Sequence, residues 1–158
     1  MTVGFGYDVH RLENGIPLII GGVLIDHKKG LLGHSDADVL VHAIIDAILG
    51  ASCKGDIGLR FPDKDSKYRN CSSLIMLSTV ITELKDYRII NIDSTVVAQE
   101  PKLQRYSLKM KENIANICKI KINQINIKFK TEEKLGFTGS ESGIKAYAVC
   151  SLEGKNLD

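Results

Sequence analysis

Three groups of polar residues in this 158-residue chain stand in patterns able to do chemistry. Asp8 and His10 are two apart, so on a strand their side chains leave one face and can grip one ion. The pair reads equally as two surface polar residues, because a two-residue match often arises by chance. The stretch Gly33-His34-Ser35-Asp36-Ala37-Asp38 precedes a helical pattern. Early helix N–H groups lack backbone partners and aim outward. There they receive a phosphate, with His34 or Ser35 adding a donor, or they are capped by Ser35, Asp36 or Asp38. Asp38, His42 and Asp46 follow at a spacing of four. A carboxylate one turn from His42 is thereby placed to orient its imidazole, a recurring need of metal-bound histidine. Asp8, His10 and His42 together make an O,N,N set that suits zinc with its fourth position open to substrate.

Further along, 55–63 and 99–102 are polar and rich in Gly and Pro, as ordinary turns are. Residues 130–139 crowd hydroxyl, carboxylate and ammonium groups at the end of a strand. That mixture fits a phosphate with a magnesium ion, or a solvated charged loop.

These residues need elements to position them. The pattern predicts a strand over 2–10 carrying Asp8 and His10, and a hairpin pairing 17–20 with 23–25 around Gly21-Gly22. A helix over 38–49 has its apolar face at Leu40, Ala43, Ile44, Ala47 and Ile48 and Gly50 as its stop. A second helix over 73–85 places Leu74, Leu77, Ile81 and Leu84 on one face behind the caps Ser72 and Ser73. A strand over 89–99 follows, then a helix over 104–118 whose period runs through Leu108, Ala115 and Cys118 beside Met110, Ile114 and Ile117. Two alternating strands close the chain, 125–130 with Ile125, Ile127 and Phe129 inward and 144–152 with Ile144, Ala146, Ala148, Cys150 and Leu152 inward. The expected fold class is α/β (α+β), one domain over 1–158, with a mixed β-sheet packed by helices from two β-α-β passes.

Composition agrees with an ordinary globular chain: 44% hydrophobic and 25% charged residues, no Trp and three Pro. A net charge of +2 advertises neither nucleic acid nor a membrane surface. No apolar run reaches the ~18 residues of a spanning helix, and no targeting segment is expected at the N-terminus. The cysteines at 53, 71, 118 and 150 form no C-x-x-C pair, so neither a cysteine zinc site nor a disulfide framework is signalled, and a cytoplasmic location suits them.

Taken together, Gly6-Tyr7-Asp8-Val9-His10-Arg11-Leu12, His34-Ser35-Asp36-Ala37-Asp38, the run from His42 to Ala51, Gly55-Asp56-Ile57-Gly58 and Glu133-Lys134-Leu135-Gly136-Phe137-Thr138-Gly139 resemble the 2-C-methyl-D-erythritol 2,4-cyclodiphosphate synthase family over nearly the whole chain. The resemblance implies a phosphorus–oxygen lyase of non-mevalonate isoprenoid biosynthesis. Such an enzyme cyclises 4-diphosphocytidyl-2-C-methyl-D-erythritol 2-phosphate and releases CMP, an oxygen of the 2-phosphate attacking the β-phosphorus. The implied zinc ligands, one ion per subunit, are Asp8, His10 and His42. Glu133 matches the family's carboxylate for Mg2+ or Mn2+, and His34, Ser35 and Thr131 flank the reacting phosphates. Asp56, Ile57, Gly58, Phe61, Pro62, Asp63, Lys64 and Asp65 are implied to line the methylerythritol pocket. Ala98, Gln99, Glu100, Pro101, Lys102, Leu103 and Gln104, with Lys130, Thr131, Glu132 and Glu133, are implied to hold the cytidine diphosphate part, and Phe137 and Ser140 complete the implied substrate contacts. The family is a homotrimer with sites between subunits, and the chain length implies the monofunctional form.

The sequence departs from the family pattern twice. Phe129-Lys130-Thr131-Glu132-Glu133 stands where many relatives have Ala-Thr-Thr-Thr-Glu, and Ser140 and Ser142 stand where an Arg-x-Glu pattern is common. The Arg belongs to a cavity on the three-fold axis. Two other functional classes fit the residues less well: a metal-dependent nucleotide-binding module without turnover, and an unrelated zinc phosphohydrolase, which would release inorganic phosphate.

Overall fold

The strand expected over 2–10 is the longest of the molecule and runs on to Asn14. In the computed structural model, which describes residues 1–62, 64–68 and 70–155, β1 spans Thr2–Asn14. Next come β2 (Leu18–Ile20), β3 (Val23–Ile25) and β4 (Lys29–Leu32). The helix α1 (Val39–Ala51) leads to a single turn, α2 (Ile57–Arg60), and then to α3 (Ser73–Glu83). After β5 (Tyr87–Val97), α4 (Ser107–Cys118) and β6 (Ile125–Lys130), the short α5 (Gly136–Gly139) precedes β7 (Gly143–Gly154).

The main sheet has the order β4-β1-β7-β5-β6. β7 is antiparallel to both β1 and β5, so β1 and β5 run the same way with β7 between them, and β5 pairs with β6 in parallel. The chain thus makes two β-α-β passes, one through α1 and α3 and one through α4. The outcome is the mixed sheet with helices that the pattern predicts.

α1 is central to the core. Eleven of its thirteen residues are buried, so it is covered nearly all round rather than amphipathic. Its close seat on β1 depends on Gly4 and Gly6. A Cβ at Gly6 would sit 1.9 Å from the Ala43 carbonyl oxygen, and one at Gly4 2.0 Å from that of Ala47. The β2–β3 turn packs on the other end of α1. Gly21 and Gly22 both have positive φ and donate their N–H groups to the Asp38 carboxylate at 2.9 and 2.6 Å. Asp38 also caps α1 by accepting from Val41 N at 3.1 Å. Burial pushes its carboxyl up to about 6, with the Gly22 and Gly21 hydrogen bonds pulling back.

Four expectations change in detail. α1 runs through Gly50 and stops where Cys53 takes the left-handed conformation, its N–H bonding the Gly50 carbonyl and that of Lys54 the Leu49 carbonyl. In α3 the buried face is Ser73, Met76, Leu77 and Val80, while Leu74 and Ile81 are half-buried. The helix predicted to begin at 104 opens as a tight 3-10 turn, and Leu108 on α4 is exposed, because the first turn of α4 meets the core through Ser107 and Met110. β4, α2 and α5 are too short to leave a periodic signal.

Candidate functional site

Alternation puts Asp8 and His10 on the helix-facing side of β1, past the N-terminal end of α1, where His42 projects from its first turn. Three atoms converge. Asp8 Oδ2 lies 2.9 Å from His10 Nε2 and 3.0 Å from His42 Nδ1, and the two nitrogens are 3.2 Å apart. Such a trio of one oxygen and two imidazole nitrogens is the donor set of a divalent transition metal with a position left open. Among the described residues this is the metal-competent cluster. The remaining ring nitrogens face partners fit for ligating histidines. His10 Nδ1 donates to the Leu32 carbonyl at 3.1 Å, and His42 Nε2 meets Ser73 Oγ at 2.8 Å and Ser35 Oγ at 3.2 Å. The residues therefore fit a metal ion on their own geometry.

The electrostatics match. Burial raises the Asp8 carboxyl, but hydrogen bonds and charge from His10 and His42 outweigh it and hold Asp8 well below the usual carboxylate range. For His10 burial favours the neutral ring, yet the Asp8 hydrogen bond and charge win and raise its pKa above the ordinary 6.5.

The carboxylates expected to orient His42 do other work. Asp38 is spent on the α1 cap and the glycine turn, and Asp46 Oδ1 accepts from Ile57 N at 2.8 Å, which anchors α2 against α1. Their Cα spacing along α1 is helical, but each side chain finds a closer donor among backbone N–H groups. Ser73, read from sequence as a cap of α3, points inward to the imidazole instead.

A cavity of about 640 Å³ opens beside the trio. It brings together Asp8, His10, Gly33, His34, Ser35, His42, Ile57, Gly58 and Phe61, and adds Leu32, Tyr68 and Met76, which sequence reasoning missed. The missed residues are ordinary apolar or aromatic positions whose role comes only from the elements around them. Asp56 stands outside the wall and caps α2 through Leu59 N at 2.8 Å. Pro62, Lys64 and Asp65 follow that turn without lining the cavity, and Asp65 Oδ1 accepts from Lys67 N at 3.0 Å. Asp63 lies outside the described residues.

A second cavity, about 220 Å³, lies at the β5–β6 edge. Ala98, Pro101, Lys102, Leu103, Gln104, Lys130 and Thr131 line it, with Val96 and Phe129 besides. Gln99 and Glu100 sit at its margin, Gln99 accepting from Lys134 N at 3.1 Å and Glu100 pairing with Lys102 at 3.4 Å. In the loop beyond β6, Thr131 Oγ1 donates to Glu133 at 2.8 Å, and Glu133 and Lys134 both have positive φ. Glu132 turns away to Lys145 at 2.6 Å and to the Thr138 hydroxyl; those two hydrogen bonds lower its pKa. Phe137 stacks under the Lys145 ammonium, and Ser140 Oγ lies 2.9 Å from Ser142 Oγ; both residues are outside the two cavities.

The YgbB family model matches residues 1–153. The chain belongs to the 2-C-methyl-D-erythritol 2,4-cyclodiphosphate synthase (YgbB) family. A synthase of that name from Clostridium botulinum strain Okra is 56% identical over 155 residues, covering 97% of this chain and 100% of the relative. One from Syntrophomonas wolfei is 54% identical over 155 residues, 97% of this chain and 99% of its own length. Among solved structures, the bifunctional IspDF of Campylobacter jejuni superposes with a TM-score of 0.93 at 40% identity, covering 98% of this chain, which spans 42% of that longer protein. The CDP complex of Plasmodium falciparum IspF gives 0.85 at 36% identity, covering 98% and 97% of the two chains.

Proposed function

We propose that the Asp8–His10–His42 cluster and its cavity serve the family's reaction, the cyclisation of 4-diphosphocytidyl-2-C-methyl-D-erythritol 2-phosphate to 2-C-methyl-D-erythritol 2,4-cyclodiphosphate. In this reaction of the methylerythritol phosphate pathway, an oxygen of the 2-phosphate forms a bond to the β-phosphorus, the bond from that phosphorus to the CMP oxygen breaks, and CMP leaves. The observation that carries this reading is the convergence of the three donor atoms on the wall of a cavity in a chain that matches the family from end to end. The substrate brings its own nucleophile, so the protein must position two phosphates and offset their charge rather than attack.

In this reading Zn2+, one per subunit, sits on Asp8, His10 and His42, and Mg2+ or Mn2+ with the diphosphate is held by Glu133. The metals supply cationic charge that offsets phosphate repulsion. His34 and Ser35 present donors to the phosphates where the chain turns into α1, and Thr131 does so from the other half-site. Ile57, Gly58 and Phe61 form the methylerythritol wall. The β5–β6 cavity takes the cytidine part through backbone and side chains at 98–104 and 130–131.

A homotrimer with sites shared between subunits is part of the proposal. The two cavities share no lining residue. The sheet face away from the helices is also apolar: Val3, Phe5, Tyr7, Val9 and Val149 are exposed there, with Phe5 and Tyr7 stacked on Tyr147. A contiguous patch of that kind favours a covering partner, and cyclic assembly of three copies would supply one. A cytoplasmic location accords with four free cysteines, and no helix among the described residues is long and apolar enough to cross a membrane.

Phosphorus NMR of the purified protein with substrate tests the reaction. The expected products are a cyclic diphosphate and CMP in equal amounts. Release of inorganic phosphate would establish hydrolysis instead and overturn the proposal.

A further inference from the structure

The loop between β6 and α5 carries Thr131 and Glu133 on an unusual backbone. Glu133 and Lys134 have φ of 51° and 67°, and Gly136 follows at 63°. Left-handed backbone at two successive residues with side chains is costly and persists only where the surroundings impose it. The Thr131–Glu133 hydrogen bond lies within the loop and ties it to nothing else. Glu132, between them, points back at the sheet. Its Oε1 accepts from Lys145 Nζ at 2.6 Å, and its Oε2 accepts a short hydrogen bond from the Thr138 hydroxyl.

Both anchors are fixed. Lys145 stands on β7, which is hydrogen-bonded along both sides, to β1 opposite Val9 and to β5 opposite Val97. Its side chain is 13% exposed, with the ammonium 5.4 Å from the Phe137 ring centroid and 5.9 Å from that of Tyr147. Aromatic faces attract and shield such an ammonium, and a charge-assisted hydrogen bond is the stronger kind. Thr138 is fully buried on α5, and Gly139 beside it lets the loop fold back closely: a Cβ there would sit 2.2 Å from the Lys134 carbonyl carbon.

We infer that Glu132, Lys145 and Thr138 are positioning residues that clamp this loop to β7 and α5, so that Thr131 and Glu133 stand at the β5–β6 cavity. The inference rests on the reading of that cavity as the nucleotide half of the site. It gives Glu132, one of the positions where the chain departs from the family pattern, a role distinct from the direct nucleotide contact that the resemblance implies. Lys145 lines neither the metal-end cavity nor the β5–β6 cavity, so its loss reaches a ligand there only through the loop.

Lys145→Met is the sharpest test because it keeps most of the side chain's length and removes its charge. With CDP as the probe, calorimetry should find the dissociation constant raised about tenfold, the low end of what one charge-assisted hydrogen bond supports, while zinc affinity stays native. Hydrogen exchange should quicken at the Leu135 and Gly139 amides, which are hydrogen-bonded within this segment, and not along β1 or β7. Lys145→Arg, which keeps the charge, should restore much of the affinity. A pair that served stability alone would lower the melting temperature of Lys145→Met and leave the CDP constant of the folded variant native, and that result would overturn the inference. In native protein, NMR of the side-chain ammonium groups should show Lys145 coupled to the Glu132 carboxylate carbon; an uncoupled Lys145 would overturn it whether or not any variant folds. Native protein that binds no CDP would fail differently, sinking the nucleotide reading on which the inference rests.

Discussion

The two cavities sit toward opposite edges of one sheet and are built on different principles. At the metal end every donor atom rides on a regular element, is largely buried, and is already pointed at the other two donors. At the β5–β6 end the polar groups ride on a loop and satisfy one another: Thr131 with Glu133, Glu132 with Lys145 and Thr138, Gln99 with Lys134. The first half is preorganised within one chain, as a metal site must be if it is to bind tightly. In the proposed function, the second would exchange the Thr131–Glu133 and Gln99–Lys134 hydrogen bonds for contacts with a ligand or a neighbouring subunit. A close phosphate geometry needs one rigid wall, while a nucleotide can be received by a wall that adjusts.

Removing a donor from the rigid half should have the largest effect. His42→Ala is expected to lose bound zinc and to cut turnover by at least about 100-fold, on the several-kcal/mol scale of metal charge stabilisation. The fold should survive, because the Ser73 hydroxyl that loses its imidazole partner keeps its hydrogen bond to Asp36. Metal analysis by mass spectrometry and thermal unfolding check the two halves of that statement; full zinc occupancy in a folded variant would remove His42 from the ligand set.

Mixing two inactive variants breaks the comparison across subunits. His42→Ala spoils only the rigid half and Thr131→Ala only the loop half. If each site joins one half from each of two neighbours, a fully exchanged equal mixture should regain about a quarter of native activity, since half the neighbours on each side carry the intact half. Subunit exchange is verified by native mass spectrometry of tagged chains. Confirmed exchange with no recovered turnover would place both halves of a site within one chain.

A smaller effect is expected in the loop. Glu133→Gln should keep zinc and raise the magnesium concentration needed for half-maximal rate several-fold, because a neutral amide is a weaker ligand for a hard cation. An unchanged magnesium titration moves the role to another carboxylate, with Glu132 the nearest.

The mildest perturbation is pH, and its sign differs between metal-bound and metal-free protein. His10 must be neutral to ligate, and Asp8 raises its pKa above 6.5, so zinc affinity should fall as pH drops through that raised value. In the metal-free fold the charged His10 adds stability that is fully present below 6.5 and lost as pH rises through the folded value. Asp8, depressed from 3.8, contributes stability present above 3.8 and lost as pH falls through its folded value. Metal-free protein should therefore gain most from this pair between about 4 and 6.5, whereas zinc uptake improves above that window. Thermal unfolding with and without zinc across pH 4–8 compares the two curves, and parallel curves would contradict the shared role of His10.

Much of this was legible in the residues. Asp8 and His10 share a face because the strand period is two, and period alone placed them correctly. Alternation also set β6 and the buried positions of β7, and Gly21-Gly22 marked the hairpin, because these features depend on neighbours within a few residues. The trio, however, joins residues 34 positions apart, and without the family resemblance their meeting was one reading among several. What only tertiary structure decided is which polar group meets which. Asp38 and Asp46 stand at the right helical spacing to serve His42, yet both are taken by backbone donors from the β2–β3 turn and from α2, segments that come near α1 only in the folded chain. Ser73, thirty-one residues from His42, looked like a helix cap and became its closest side-chain partner at the outer nitrogen. Hydrogen bonds of a few ångströms are settled by packing between elements, and a sequence carries period and propensity but not the contact between two elements that decides them.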